Sequence, residues 1–205
     1  SYAHNIKLLL AQSRSDEASE VLEKIDALVE RVAGMTNRFK NLARRSDTVF
    51  NEVNIKHTID EALSFFQAEL TRAGIILEKG YIDNGLAVYA DPVRLEQVLI
   101  NLFQNALDAM KDSVVRKLKI DAEQADAFTI ISVADTGIGV LEEELEKIFD
   151  PFYTHKEIGQ GVGLGLTISY NIIKDLGGSL KVVKNHGQGL TFTIKLRTWV
   201  NGQAI

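Results

Sequence analysis

Gly159-Gln160-Gly161-Val162-Gly163-Leu164-Gly165-Leu166-Thr167-Ile168-Ser169 places a glycine at every second position and then runs into an apolar, helix-compatible stretch. Glycine backbones offer N–H groups that no side chain covers, and the first amides of a helix lack intrahelical partners. A loop of this kind opening onto a helix suits phosphate. The spacing departs from the dinucleotide fingerprint, because after Gly159 and Gly161 the third glycine would fall at Leu164. It is not a P-loop either, since no glycine of the chain is followed by lysine. Interleaved Val162, Leu164 and Leu166 argue against a flexible linker.

Outward from this stretch, Gly163–Leu176 reads as a helix, and Ser179–Val183 and Leu190–Leu196 as strands. Gly187-Gln188-Gly189-Leu190-Thr191-Phe192 resembles a hairpin turn, in which Thr191 either faces a pocket or supports the strand. On the other side, Ile148-Phe149-Asp150-Pro151-Phe152-Tyr153-Thr154-His155-Lys156 clusters aromatics. These form local core or anchor a mobile loop that leaves Lys156 free to meet phosphate.

Further upstream, Leu118–Ala122 and Phe128–Ala134 read as strands, followed by Asp135-Thr136-Gly137-Ile138-Gly139. A carboxylate ends the second strand, and two glycines let the backbone turn tightly against a ligand. Such a carboxylate can accept from an exocyclic amine, although the pattern is also compatible with a plain turn. Asp91-Pro92 starts a helix, with the carboxylate as cap and proline in the first turn, running to about Lys111. Asn101, Asn105 and Asp108 share one stripe of it, beside the apolar face of Leu95, Leu99, Leu102, Ala106 and Ala109. That stripe is either a solvated edge or an oxygen-donor edge for Mg2+. Thr58–Ala73 reads as a helix, and Ile75–Ile82 and Leu86–Ala90 as strands across an Asp83-Asn84-Gly85 turn. Strands alternating with long helices predict an α+β sandwich.

The first 46 residues are of another kind: they hold no proline and a single glycine, Gly34. Val21, Ile25, Leu28, Val32, Met35, Phe39 and Leu42 keep a seven-residue repeat, widened by Leu22 and Val29. Upstream, Ile6, Leu9 and Leu10 suggest the tail of a preceding helix. The expectation is a partial helical hairpin over 1–46, covered by a second copy in a homodimer rather than by folding back on its own second domain, and a mixed α and β domain over 47–205.

The 205 residues include no cysteine and carry a net charge of −5. Without cysteine there is no disulfide framework, iron–sulfur cluster, thiolate zinc or cysteine nucleophile. The acidic balance offers no footprint for nucleic acid. No apolar run reaches the roughly 20 residues of a membrane span, and no signal peptide opens the chain. Ser1 begins in what reads as mid-helix, so the chain is expected to be a soluble piece of a longer protein.

Taken in order, the asparagine helix, the Asp-x-Gly-x-Gly loop, Phe149-Asp150-Pro151-Phe152, the glycine-rich helix start and Gly187-x-Gly189-x-Thr191-Phe192 strongly resemble the ATP-binding domain of sensor histidine kinases, of the Bergerat-fold superfamily. The resemblance covers about 50–197. Upstream, Ser1-Tyr2-Ala3-His4-Asn5, Leu8-Leu9-Leu10 and Arg31–Arg45 look like the dimerisation hairpin of kinases related to the C4-dicarboxylate transport sensors.

That resemblance implies a mixed sheet under about three helices, ATP with Mg2+, and phosphoryl transfer to a histidine. Relay to the receiver domain of a response regulator would follow. By position it implies Asn105 as the Mg2+ ligand and Asp135 as the adenine-binding aspartate, with Gly137 and Gly139 shaping that pocket. Gly161, Gly163 and Gly165 match the phosphate box, which takes in Val162, Leu164 and Leu166. Asn101, Asp108, Thr191 and the lid residue Lys156 complete the expected nucleotide contacts, with Asn105 and Lys156 the catalytic pair. The expected location is the cytoplasmic portion of an inner-membrane sensor, reaching the membrane only through upstream segments.

One departure stands out. The family's acceptor histidine precedes an acidic residue, whereas His4 precedes Asn5, and His57, His155 and His186 lie elsewhere. The acceptor is therefore expected upstream of Ser1. The alternatives are a hydrolysing ATPase of the same superfamily and a nonenzymatic nucleotide-sensing module. Hydrolysing relatives resemble one another in a glutamate four residues before the metal asparagine. Here that position is Asn101, whose amide is no base at neutral pH. Complete glycine boxes and Asn105 argue against the sensing module.

Overall fold

The computed structural model describes residues 21–22, 49–155, 162–200 and 202–204. The hairpin expected over 1–46 (apart from 21–22), His4 within it, and the expected site residues Lys156 and Gly161 lie outside the described residues.

The unit comprising 47–156 and 161–205 is organised by a five-stranded sheet. Its strands are β2 (Ile76–Ile82), β4 (Lys117–Ala125), β5 (Phe128–Asp135), β6 (Ser179–Lys184) and β7 (Leu190–Arg197), in the order β2-β4-β5-β7-β6. The β2–β4 pair is parallel and the others are antiparallel, which makes the sheet mixed. Alternation of residue type sets its two faces. Thr129, Ile131, Val133 and Asp135 of β5 are buried, with Leu190, Phe192, Ile194 and Leu196 of β7 on the same side. The opposite face is polar, where Lys195 Nζ lies 3.8 Å from the centre of the Phe128 ring.

Three helices supply the covering layer: α1 (Ile55–Ser64), α3 (Pro92–Ala109) and α4 (Gly165–Asp175), with the short α2 (Gln67–Arg72) after α1. Asp91 caps α3, its Oδ1 accepting from the amides of Val93 at 3.0 Å and Arg94 at 3.2 Å. Leu95, Leu99, Leu102 and Phe103 of α3 are fully buried. Removing each from water contributes about 1.5–3 kcal/mol. The α+β sandwich with a mixed sheet under helices is the architecture observed.

Two local expectations need correction. The single helix over Thr58–Ala73 begins earlier, at Ile55, because Asn54 Oδ1 accepts from the His57 amide at 2.9 Å and caps it there. It then breaks at two adjacent rings. Phe66 turns into the core edge-on to Phe103, while Phe65 stays exposed. A tightened turn, with Phe66 N–H donating to the Leu63 carbonyl at 3.0 Å, accommodates both before α2.

The second concerns the strands flanking Asp83-Asn84-Gly85. The turn forms, with the Gly85 amide donating to Asp83 Oδ1 at 2.9 Å, but the flanking strands do not pair. β3 (Ala87–Ala90) pairs instead with β1 (Asn51–Asn54), and β2 with β4. Local turn chemistry was outweighed by partners distant in sequence, through which Ala87, Val88 and Ala90 are buried. Trp199 stacks on Tyr89 at 4.4 Å and Tyr89 on Phe50 at 5.5 Å, which closes this small ribbon against the end of the chain. Among the described residues no helix is long and apolar enough to cross a membrane.

Candidate functional site

α3 acts as the spine of the site. Asn101, Asn105 and Ala109 follow one another at four-residue steps on it, about 6 Å each along the axis. Each end of this row meets a different loop.

At the Ala109 end lies the loop after β5. The Ile138 amide donates to the Ala109 carbonyl at 3.1 Å. A Cβ on Gly137 would stand 2.6 Å from the Ala109 Cβ and 2.7 Å from its carbonyl oxygen, so only glycine fits. Gly139 adopts φ +67°, a left-handed turn. Asp135 is buried, its Oδ1 accepting from the Gly137 amide at 2.7 Å. Burial pushes its carboxyl up to about 6, against the downward pull of the Gly137 and Leu190 amides. A nearly buried carboxylate with spare acceptor capacity suits an amine-bearing ligand edge.

At the Asn101 end lies the start of α4. Asn101 Nδ2 donates to the Gly165 carbonyl and to Ser169 Oγ, each at 3.3 Å, and Ser169 Oγ donates to the Gly165 carbonyl at 3.0 Å. The amide thus braces the two helices. No side chain caps the N-terminus of α4, because its N-cap position is Leu164. Its first amides and the positive end of its dipole are left for an anion. Leu164 is core, with Val162 and Leu166 packed against it, so these three would meet a ligand only through backbone.

Between the two ends stands Asn105, half-buried, whose amide finds no hydrogen-bond partner among the described residues. Asp108, next on the stripe, is ion-paired with Lys111 Nζ at 2.8 Å. Its carboxylate is therefore engaged on its own helix. Among the described residues no group of three or more histidine or acidic side chains could hold a metal ion. A lone amide oxygen fits Mg2+, which keeps several waters and takes further oxygens from substrate phosphates.

Thr191 is placed as support for the strand. It pairs with Ala134, one residue off the position facing Asp135, so its side chain leaves the opposite face of the sheet. Its hydroxyl donates to Asn185 Oδ1 at 2.6 Å.

Three features had escaped the sequence. Gly163 has φ +68°, and a Cβ there would lie 2.5 Å from the Tyr153 carbonyl oxygen. The Phe152 amide donates to the Gly163 carbonyl at 3.0 Å, which ties the aromatic segment to the glycine-rich one. Glu144 Oε2 accepts from the Leu141 amide at 2.9 Å, while Oε1 lies 3.0 Å from His155 Nε2. The Tyr153 hydroxyl lies 2.8 Å from the same nitrogen. Burial and the Glu144 carboxylate push the Tyr153 hydroxyl up to about 12. Only the alternation of polar and aromatic types around 144–155 hinted at this cluster. Asn185, the third, lies in a turn with nothing local to mark it.

Residues 90–199 match the family described as histidine kinase-, DNA gyrase B- and HSP90-like ATPase. The chain belongs to this family. Within the family it is 34% identical, over 96% of its length, to the C4-dicarboxylate transport sensor protein DctB of Rhizobium meliloti (strain 1021), and covers 31% of that protein. Among solved structures it is similar to the catalytic domain of histidine kinase ThkA, with a TM-score of 0.66 and 36% identity over 73% of this chain and 95% of that one. ThkA in complex with the response regulator protein TrrA is similar over 96% of this chain and 60% of that one, with a TM-score of 0.71 and 25% identity. The chain spans about a third of the length of the curated relatives it matches. The resemblance drawn from the motifs and the Bergerat-type fold therefore both hold.

Proposed function

We propose that this chain is the ATP-binding catalytic portion of a sensor histidine kinase, which transfers the γ-phosphoryl group of ATP to a histidine for relay to the receiver domain of a response regulator. The observation that carries this reading is the row Asn101, Asn105, Ala109, which runs from the uncapped end of α4 to the Asp135 loop. Asp135 accepts from the adenine amine. The first amides of α4 and the backbone of 161–166 receive the phosphates. Asn105 supplies one oxygen toward Mg2+, which when bound neutralises charge on the phosphate oxygens.

The histidine nitrogen attacks the γ-phosphorus in line, forming the P–N bond as the bond to the β,γ-bridging oxygen breaks, and ADP leaves. Lys156 meets the γ-phosphate from the lid segment. Asn101 has no basic group to activate water and its amide holds α4, which supports transfer over hydrolysis. The acceptor is placed upstream of Ser1, since none of the four histidines precedes an acidic residue. Residues 47–205 are the nucleotide-binding domain, and 1–46 are assigned to a dimerising hairpin by their resemblance to such hairpins alone. The whole belongs to the cytoplasmic side of a membrane sensor.

Calorimetric titration with a nonhydrolysable ATP analogue, with and without Mg2+, tests the site. Incubation of γ-labelled ATP with the chain extended upstream tests the transfer. Absence of analogue binding would remove the nucleotide site, and binding without acid-labile label would remove the transfer.

A further inference from the structure

We propose that Asn185 is the positioning residue that aims the Asp135 carboxylate at adenine, an assignment that rests on the nucleotide-site reading. Asn185 lies in the turn between β6 and β7, and each of its polar groups is engaged. Nδ2 donates to the Asp135 carbonyl at 2.8 Å, and Oδ1 accepts from the Thr191 hydroxyl at 2.6 Å. Its own amide donates to the Gly189 carbonyl at 3.2 Å, and its carbonyl accepts from the Gly187 amide at 2.8 Å. One side chain therefore joins the end of β5 to the start of β7 across the turn.

The join acts on the Asp135 peptide itself. Gly189, at φ +93°, is pressed so near that a Cβ would stand 2.0 Å from the Asp135 carbonyl oxygen. The Gly137 amide holds Asp135 Oδ1 at 2.7 Å, and the Leu190 amide at the start of β7 also favours the ionised carboxyl. With its carbonyl held by Asn185 and its Oδ1 held by the Gly137 amide, Asp135 is fixed in the direction in which it presents an acceptor. Recognition of an exocyclic amine depends on that direction, since hydrogen bonds weaken steeply off axis. Only an amide serves both contacts: a carboxylate here would set an acceptor oxygen against the Asp135 carbonyl oxygen, and alanine would leave that carbonyl and Thr191 without their partner.

The phosphate end, on α4, is untouched by this network, so adenine recognition should change without loss of phosphate binding. The test measures binding of Mg2+–ATP analogue and the corresponding GTP analogue to wild type, Asn185→Ala, Asn185→Asp and Thr191→Val, with a thermal melt of each. Loss of a net hydrogen bond predicts ATP-analogue binding weakened about three- to tenfold in both Asn185 variants, with the ATP-over-GTP preference falling by the same factor. Thr191→Val, which removes only the buttress, moves both in the same direction by less. It carries the test alone if the Asn185 variants do not fold. Lowered melting temperatures with an unchanged ATP-over-GTP ratio would make Asn185 merely structural and overturn the proposal. Failure of wild type to bind either analogue would instead sink the nucleotide site, and this assignment with it.

Discussion

A Cβ on Gly137 would stand 2.6 Å from the Cβ of Ala109, so the loop after β5 and the last turn of α3 meet at a distance only glycine permits. At the other end of the row the constraint is absent, because a Cβ on Gly165 would meet only Asn101 Cγ, at 3.9 Å. Gly137→Ala must push the loop off the helix and is expected to cost about 1–3 kcal/mol and most nucleotide affinity. Gly165→Ala should leave stability unchanged or raise it by about 0.4–1 kcal/mol. Thermal or urea melts of the two variants check the contrast, and equal destabilisation would contradict it.

Asp135 makes stability and binding respond oppositely to pH. Its folded carboxyl sits at about 6 against an ordinary value of 3.8, so the folded state prefers it protonated. Its contribution is fully present below the unfolded value and is lost as pH rises toward and through 6, amounting to about 3 kcal/mol. Adenine binding needs the ionised form and should weaken as pH falls through the same range. Asp135→Asn should flatten this part of the stability profile and abolish the ATP-over-GTP preference. Urea melts and nucleotide competition between pH 4 and 7.5 read both; a wild-type stability slope identical to that of the variant would refute the assignment.

Asn105 should couple metal to nucleotide. Its amide has no partner among the described residues, so its truncation breaks no hydrogen bond among them. Asn105→Ala is expected to lower the Mg2+-dependent part of analogue affinity by about tenfold, or 1.4 kcal/mol, with metal-free binding nearly unchanged. Titrations with and without Mg2+ measure this, and an unaltered metal dependence would take Asn105 out of the site.

The chain as it stands should bind ATP without labelling itself. His57, His155 and His186 each lack an acidic residue on their C-terminal side, as does His4. Incubation with γ-labelled ATP should give acid-labile label only when the chain is extended upstream. Stoichiometric label on the present chain, abolished by His4→Gln, would make His4 the acceptor.

Much of the site was legible because its residues follow helix and strand periods. Asn101 and Asn105 share a stripe by spacing alone, Asp135 ends a strand whose alternation is plain, and Asp91-Pro92 announces α3. Glycine patterning marked both loops. Which glycines are sterically required was not legible, because Gly137 and Gly163 need a neighbour from elsewhere in the chain while Gly165 does not.

The sequence by itself determined the order of the elements from Ile76 to Leu196, the apolar faces and the family, since these depend on local period and on motifs met in order, but it missed β1 and the break between α1 and α2. Only the tertiary structure decided which strands pair and what each polar group touches. The Asp83-Asn84-Gly85 turn favoured a hairpin, yet β2 went to β4 and β3 to β1, because burial across distant partners outweighs one turn's preference. Thr191 looked equally able to face the pocket or to back the strand. Its register opposite Ala134 put its hydroxyl on Asn185, and no local pattern carries that information, because a one-residue shift in pairing reverses the face of every side chain.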